Sequence, residues 1–231
     1  MVRGHHGGSM QGTVTRGIAT VLERRELSNR CYVLRLERST IGRFEPGQYI
    51  VIGPQNSTDR REYSIYSTPD DPFLEVLIKE VPEGAVSRAL HAVEPGDSVA
   101  VEGPLGFFTI APEHRGTRDF LFIATGTGIA PFHCFVFAYP ELNYRILHGV
   151  RYADERHEHH LYKPERYTAC LTGEALPDSH HGRVTQYLAQ LSVAPETLCY
   201  LCGNCDMIFE AFDILQRHGV DPQNLHAEVY Y

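Results

Sequence analysis

Halfway along this chain the hydrophobic rhythm changes, and that change limits the possible folds more than any other feature. Between about Gly12 and Ile110, apolar residues come in short β-rich runs at Gly12–Val21, Cys31–Leu36, Gln48–Ile52, Phe73–Ile78 and Ser98–Val101. Turn signals separate them: Glu45-Pro46-Gly47, Pro69-Asp70-Asp71-Pro72 and Glu94-Pro95-Gly96-Asp97. Strands this short and this closely spaced suit a small antiparallel barrel, with room for one helix at Ala85–His91. From about Asp119 the pattern becomes strand, turn, helix. Phe120–Ala124, Tyr144–Val150, Tyr167–Leu171 and Leu198–Cys202 read as buried strands, and Val184–Leu191 and Asp206–Arg217 as helices. Alternation of that kind builds a doubly wound α/β domain on a parallel sheet. The chain therefore divides into an antiparallel β-barrel at residues 10–113 and an α/β domain at 114–231. Residues 1–9 read as an expression-tag remnant ahead of Met10.

Composition narrows the function. The 231 residues are 42% hydrophobic and 22% charged, enough to build real cores in two domains. A net charge of −8 excludes nucleic acid as the main partner, because phosphate binding needs a concentrated basic face. No apolar run reaches the roughly 20 residues of a membrane-spanning helix, and no signal peptide is visible, so no membrane role and a cytoplasmic location are expected. Lys79 and Lys163 are the only lysines. Arg24, Arg25, Arg30, Arg35, Arg38 and Arg43 cluster early and read as a solvated face or as a docking patch for an acidic protein.

Cys199, Cys202 and Cys205 form C-x-x-C-x-x-C, a spacing that suggests a cluster or zinc site, but no close fourth ligand follows. Leu198-Cys199-Tyr200-Leu201-Cys202 also reads as a buried strand in which cysteine acts as a small hydrophobe, so no metal is expected. The histidines of Arg156-His157-Glu158-His159-His160 and the pair His180-His181 lie in polar stretches and read as solvated loops.

Three segments carry chemistry. Thr125-Gly126-Thr127-Gly128-Ile129-Ala130-Pro131 follows a buried strand and opens a helix, offering free N–H groups to a phosphate; it lacks the last glycine of G-x-G-x-x-G. Arg60-Arg61-Glu62-Tyr63-Ser64-Ile65-Tyr66-Ser67 combines an arginine fork, a flat ring and a hydroxyl. Gly84-Ala85-Val86-Ser87 opens a short helix, a second anion cradle. The chain closes on His226-Ala227-Glu228-Val229-Tyr230-Tyr231, a short alternating strand whose two tyrosines either plug a core or cover a flat partner.

Taken in order, Arg61-x-Tyr63-Ser64, Gly84-x-x-Ser87, Gly126-Thr127-Gly128-Ile129-Ala130-Pro131, Cys202-Gly203-Asn204-Cys205-Asp206-Met207 and Glu228-Val229-Tyr230 resemble the signatures of the ferredoxin–NADP reductase family. The resemblance covers essentially Met10 to Tyr231. It implies that the barrel binds FAD and the α/β domain binds NAD(P)H. Arg61 and the Gly84–Ser87 turn, with Val86, would hold the FAD pyrophosphate. Tyr63 would pack on the flavin, and Tyr230 or Tyr231 would cover it. Ser64, Cys202 and Glu228 would serve hydride and proton transfer. Gly126, Thr127, Gly128 and Pro131 would receive the dinucleotide pyrophosphate, with Gly203 and Met207 nearby.

Three departures from that pattern matter. Tyr231 extends one residue past the aromatic that ends plant-type members, so either Tyr230 or Tyr231 stands where it would cover the flavin. Tyr66 stands where a small residue is common. Cys170-Leu171-Thr172-Gly173-Glu174 falls where NADP-specific members often carry Ser-Arg-Glu, leaving Thr172, Arg151 and Arg183 to meet any 2′-phosphate. Weak discrimination leaning towards NADH is expected, and Gly173→Arg is expected to favour NADPH. The implied activity is electron transfer, as a monomer, between NAD(P)H and ferredoxin or flavodoxin. Two alternatives stand beside it: the flavin half of an oxygenase system with a separate iron–sulfur protein, and a flavin-binding interaction subunit without nicotinamide chemistry.

Overall fold

Bulges in one long strand let the first half of the chain curl on itself. The computed structural model describes residues 14–230; the tag reading, the start of the strand expected from Gly12, and Tyr231 lie outside them. Strand β1 (Thr15–Ser28) pairs antiparallel with β6 (Ser98–Leu105) through its first half and with β2 (Cys31–Glu37) through its second. Register shifts between Val21 and Glu23 and between Glu26 and Ser28 bend it. With β3 (Tyr49–Pro54), β4 (Arg61–Ser64) and β5 (Phe73–Lys79) the order is β4-β3-β6-β1-β2-β5. An antiparallel bridge from Ile65 to Val76 brings the β4 end onto β5 and nearly closes the barrel. Alternate residues such as Leu34, Leu36, Ile50, Ile52, Val99 and Val101 fill its interior. Helix α1 (Ala85–His91) covers one end, as its sequence suggested.

The second sheet is parallel, in the order β10-β9-β8-β7-β11-β12. Its strands are β7 (Asp119–Thr125), β8 (Asn143–Val150), β9 (Tyr167–Leu171), β10 (Ser179–His181), β11 (Leu198–Gly203) and β12 (Leu225–Val229). Helices α2 (Ala130–Ala138), α3 (Val184–Leu188) and α4 (Cys205–Arg217) pack on it. The core strands β7 and β11 are buried on both faces, which is why they read as continuous apolar runs. Helix α2 has no polar stripe to spare. It lies between the sheet and the barrel, and Phe132 and Phe135 meet Phe108 from the barrel side. One core cluster accordingly runs through both halves, from Tyr66 and Phe108 to Phe122 and Tyr200.

Several sequence readings need correction. Strand β1 runs seven residues beyond Val21, through Leu22-Glu23-Arg24-Arg25-Glu26-Leu27-Ser28, where apolar alternation is lost. Cross-strand pairs such as Arg35–Glu23 at 2.7 Å support it instead. Four of the six early arginines are neither a plain solvated face nor a free patch, whereas Arg30 and Arg43 are exposed. Arg24 and Arg38 donate to loop carbonyls, while Arg25 and Arg35 pair with glutamates. His180 and His181 form the edge strand β10, not a loop. His157 is buried, which a solvated loop does not explain. Cys199 and Cys202 belong to different core clusters on the two sides of β11, so the three sulfurs do not converge.

Candidate functional site: a buried polar corner beside an interdomain cleft

The last residue of β4 meets the last strand of the second sheet. Register pairs Cys202 of β11 with Glu228 of β12, and the Tyr230 N–H donates to the Gly203 carbonyl at 2.9 Å. This anchors the chain end over β4. There the buried Ser64 hydroxyl donates to Glu228 Oε2 at 3.0 Å, and the Tyr230 hydroxyl donates to Ser64 Oγ at 2.5 Å. The Cys202 thiol lies against the Tyr230 hydroxyl. Burial pushes the Glu228 carboxyl up to about 7, opposed by the Ser64 bond and helped by Glu62. Burial also raises the Cys202 thiol and the Tyr230 phenol, so both are neutral. A carboxyl poised near neutrality can hold or release a proton at physiological pH. Tyr49 belongs here too. It sits opposite Ser64 across β3–β4, and its phenol is raised by burial, then by the charges of Glu62 and Glu228. Only strand register could have found it.

Around this corner, Tyr63 is half-buried on the barrel core, and burial pushes its phenol up to about 12. Arg61 is exposed and donates to the neighbouring Arg60 carbonyl at 2.9 Å. The Gly84–Ser87 turn is tighter than its sequence suggested. Ser87 Oγ accepts from the Val81 N–H at 3.1 Å and donates to the Gly84 carbonyl at 3.3 Å, and a Cβ at Gly84 would meet that oxygen at 2.8 Å. Ser87 and Val86 are buried and shape the turn. The first-turn N–H groups of α1 have no partner inside the helix.

The strand order reverses between β7 and β11, and a crevice opens at the carboxyl ends of the strands there. It encloses about 710 Å³. Thr125, Gly126, Arg151, Thr172, Arg183 and Met207 line the α/β side, and Ser28, Asn29, Arg30 and Lys79 line the barrel side. Four carboxylates, Asp154, Glu155, Asp206 and Glu210, share it with the four cations. Gly126 takes φ +52 with open space around its Cα, as a backbone that must meet a ligand would.

The neighbouring glycines serve another purpose. A Cβ at Gly128 would lie 2.3 Å from the Cys202 carbonyl oxygen, and one at Gly203 would lie 2.3 Å from Thr125 Oγ1. Pro131 is buried. Gly128, Pro131, Cys202 and Gly203 thus set the contact between the two central loops and do not line the crevice; Thr127 does not line it either. Thr125 Oγ1 completes the lock by accepting from the Asn204 N–H at 2.8 Å, and Asn204 caps α4 by accepting from the Met207 N–H at 3.1 Å. Beneath the turn, the fully buried His148 bonds the Gly126 carbonyl through Nε2 at 2.8 Å and the Tyr167 hydroxyl through Nδ1 at 2.9 Å. Burial holds it down at about 3, so it is neutral; its place in the β8 apolar run gave no hint of this role.

Gly173 is also reinterpreted. A Cβ there would meet the Tyr152 ring at 2.5 Å and the Arg151 carbonyl at 2.7 Å, and Gly173 does not line the crevice. An arginine at 173 would displace a wall of the crevice before it could reach a phosphate, so Gly173→Arg is not a clean probe of nucleotide choice.

A barrel bearing an arginine–tyrosine–serine strand, joined at a polar corner to a parallel sheet with a crevice at its switch point, defines a two-module flavoprotein reductase. Residues 19–110 match the oxidoreductase FAD-binding domain family. The chain is 30% identical to the ferredoxin–NAD(P)(+) reductase component of the naphthalene 1,2-dioxygenase/salicylate 5-hydroxylase systems of Ralstonia sp., over 94% of this chain and 69% of that protein. It is 29% identical to the toluate 1,2-dioxygenase electron transfer component of Pseudomonas putida, over 92% of this chain and 67% of that one. It shares the fold of a ferredoxin–NADP+ reductase from Neisseria gonorrhoeae solved with FAD and NADP, with a TM-score of 0.79 at 20% identity over 94% and 99% of the two chains. The chain belongs to the ferredoxin–NADP reductase-like family of FAD-dependent oxidoreductases. No helix among the described residues is long and apolar enough to cross a membrane.

Proposed function

We propose that this protein is a cytoplasmic, monomeric reductase that takes a hydride from NADH or NADPH and passes electrons one at a time to ferredoxin or flavodoxin. The observation that carries the reading is the Ser64–Glu228–Tyr230–Cys202 corner, where the two sheets bring a near-neutral carboxyl, a hydroxyl and a flat ring together. We divide the chain functionally at residues 113 and 114, between the sheets.

The residues present fit FAD. Arg61 is exposed, and among the described residues it pairs with no carboxylate, so its fork is available to the pyrophosphate together with the α1 N–H groups. The half-buried Tyr63 offers a flat apolar face. FAD, when bound, supplies the exchange between a hydride and single electrons. Ser64, its hydroxyl fixed by Glu228, would hydrogen-bond the reacting ring, and the Glu228 carboxyl would hold or release a proton there. Tyr230 would shield the flavin ring from water and would have to yield to nicotinamide; losing a stack of that kind costs about 0.5–1.5 kcal/mol. Cys202 packs beside it as a neutral thiol. Gly126, Thr172, Arg151 and Arg183 receive the dinucleotide in the crevice.

A second reading, service to an oxygenase through a separate iron–sulfur protein, is supported by the two oxygenase-system relatives that match nearly the whole chain. The test is anaerobic stopped-flow reduction of the purified yellow protein. NADH or NADPH should bleach the bound flavin, identified as FAD by extraction from a parallel sample, and Cys202→Ala and Glu228→Ala should slow bleaching while FAD stays bound. Extracted FMN, stoichiometric iron, or unchanged rates in both variants would overturn the assignment. Reduction assays with ferredoxin, flavodoxin and an oxygenase ferredoxin separate the two readings.

A further inference from the structure

Tyr66, two residues after Ser64, is the key to a contact between the walls of the crevice. Its ring is completely buried, and its hydroxyl donates to Glu158 Oε2 at 2.6 Å. The other oxygen of Glu158 accepts from Arg25 Nη1 at 2.5 Å. We propose that Arg25, Tyr66 and Glu158 are positioning residues forming a strut that holds the two walls of the crevice at a fixed separation. The proposal rests on reading that crevice as the pyridine dinucleotide site.

The three residues sit just behind the two walls. Arg25 lies on β1 three residues before Ser28, and Ser28, Asn29 and Arg30 are the barrel wall. Glu158 lies three residues after Glu155, and Arg151, Tyr152, Asp154 and Glu155 belong to the opposite wall. At about 3.3 Å per extended residue, the ion pair lies roughly 10 Å behind the rim on the barrel side. The segment from 151 to 166 that carries Glu158 has no α-helix, only short 3-10 turns, so side-chain contacts must hold it. Glu158 itself adopts φ 51 and ψ 24 and is the only non-glycine among the described residues with positive φ. A residue keeps that conformation where its surroundings over-determine it.

The strut is braced at both ends. Tyr66 stacks on His133 of α2 at 3.9 Å and 16°, and His133 Nδ1 bonds the Tyr162 hydroxyl at 2.9 Å. Arg25 also lies 3.9 Å from Glu75, which Arg35 holds at 2.8 Å. Most of this network is shielded from water, where hydrogen bonds are strong and breaking one leaves its partners stranded. Arg30 approaches the crevice from one side, and Arg151 and Arg183 from the other. A ligand can touch both sets only while the walls keep their spacing.

The test uses the FAD-loaded protein and ADP-ribose, which reports the adenosine half of the crevice without nicotinamide chemistry. Glu158→Ala, Tyr66→Phe, the double variant and Arg25→Lys are compared with wild type by calorimetry, and by steady-state turnover with NADH and NADPH against ferricyanide. Flavin content and melting temperature are measured on each. In Glu158→Ala, the ADP-ribose Kd and the nucleotide KM should rise together by about 3- to 30-fold, while kcat stays within about twofold. Arg25→Lys, which keeps a cation beside Glu158, should raise Kd and KM less than Glu158→Ala does, and the Tyr66 and Glu158 effects should be non-additive. Unchanged Kd and KM in variants that keep FAD would overturn the strut. So would loss of FAD, or a fall in kcat alone, because each marks a merely structural contact. Failure of wild type to bind ADP-ribose would overturn the dinucleotide reading and the strut with it. Normal ADP-ribose binding without flavin reduction would overturn the proposed activity and leave the strut judged by its own Kd.

Discussion

The corner at Ser64 and the crossing at Gly128 lie on the two sides of Cys202, and they are built in opposite ways. At the corner, side chains from distant strands converge, and each is chosen for a functional group. At the crossing, side chains are excluded, and residues are chosen for what they lack. Both places carry one of the ordered signature motifs. The difference teaches that a motif glycine can be kept by a neighbouring backbone as readily as by a ligand. Gly126 faces open space, whereas Gly128 faces the Cys202 carbonyl.

The largest expected effect breaks the crossing. Gly128→Ala forces a Cβ to within 2.3 Å of a backbone oxygen that cannot step aside. Thermal or urea unfolding should show a loss of about 3 kcal/mol or more. Gly126→Ala, with no atom in its way, should cost roughly 1 kcal/mol from its positive φ alone. Equal losses in the two variants would erase the distinction between them.

Next comes the corner. Glu228 has its carboxyl raised from 4.5 to about 7, so the folded chain binds its proton more tightly than the unfolded chain does. Its contribution is complete below about pH 4.5 and is lost as pH climbs through about 7, a change of about 3 kcal/mol. Glu228→Gln should remove that part of the pH slope in unfolding curves taken between pH 4.5 and 7.5. An identical slope in the variant would mean that the carboxyl is not raised.

The smallest effect concerns the crevice, where charge is exposed and shared with carboxylates. Arg151→Ala combined with Arg183→Ala should lower kcat/KM for NADPH by about tenfold and for NADH by less than about threefold. A wild-type preference for NADPH above about a hundredfold would show that other residues hold the phosphate.

Much of this molecule was legible before its fold was. The change of rhythm near residue 119, helix α1 and strands β2, β5, β7, β8 and β11 followed from period, turn residues and runs of apolar side chains, all of which act over a few neighbours. The ordered signatures pointed to Ser64, Glu228 and Tyr230 because each sits in a recognisable local setting. The rest depends on residues far apart in the chain. Strand β1 continues through Glu23-Arg24-Arg25-Glu26 because its partners lie on β2, and Tyr49 reaches the corner through register with β4. Gly173 is a glycine because the Tyr152 ring lies over it, and His148 serves Gly126 from the neighbouring strand β8. Tyr66 looked like a simple departure until Glu158, 92 positions away, supplied the acceptor for its hydroxyl. Local propensity and patterning were written in the sequence by itself, since backbone sterics and burial periodicity act residue by residue. Which polar groups would find partners, and which glycines would find neighbours, only the tertiary structure decided, because desolvation and close contact depend on whatever the fold brings alongside.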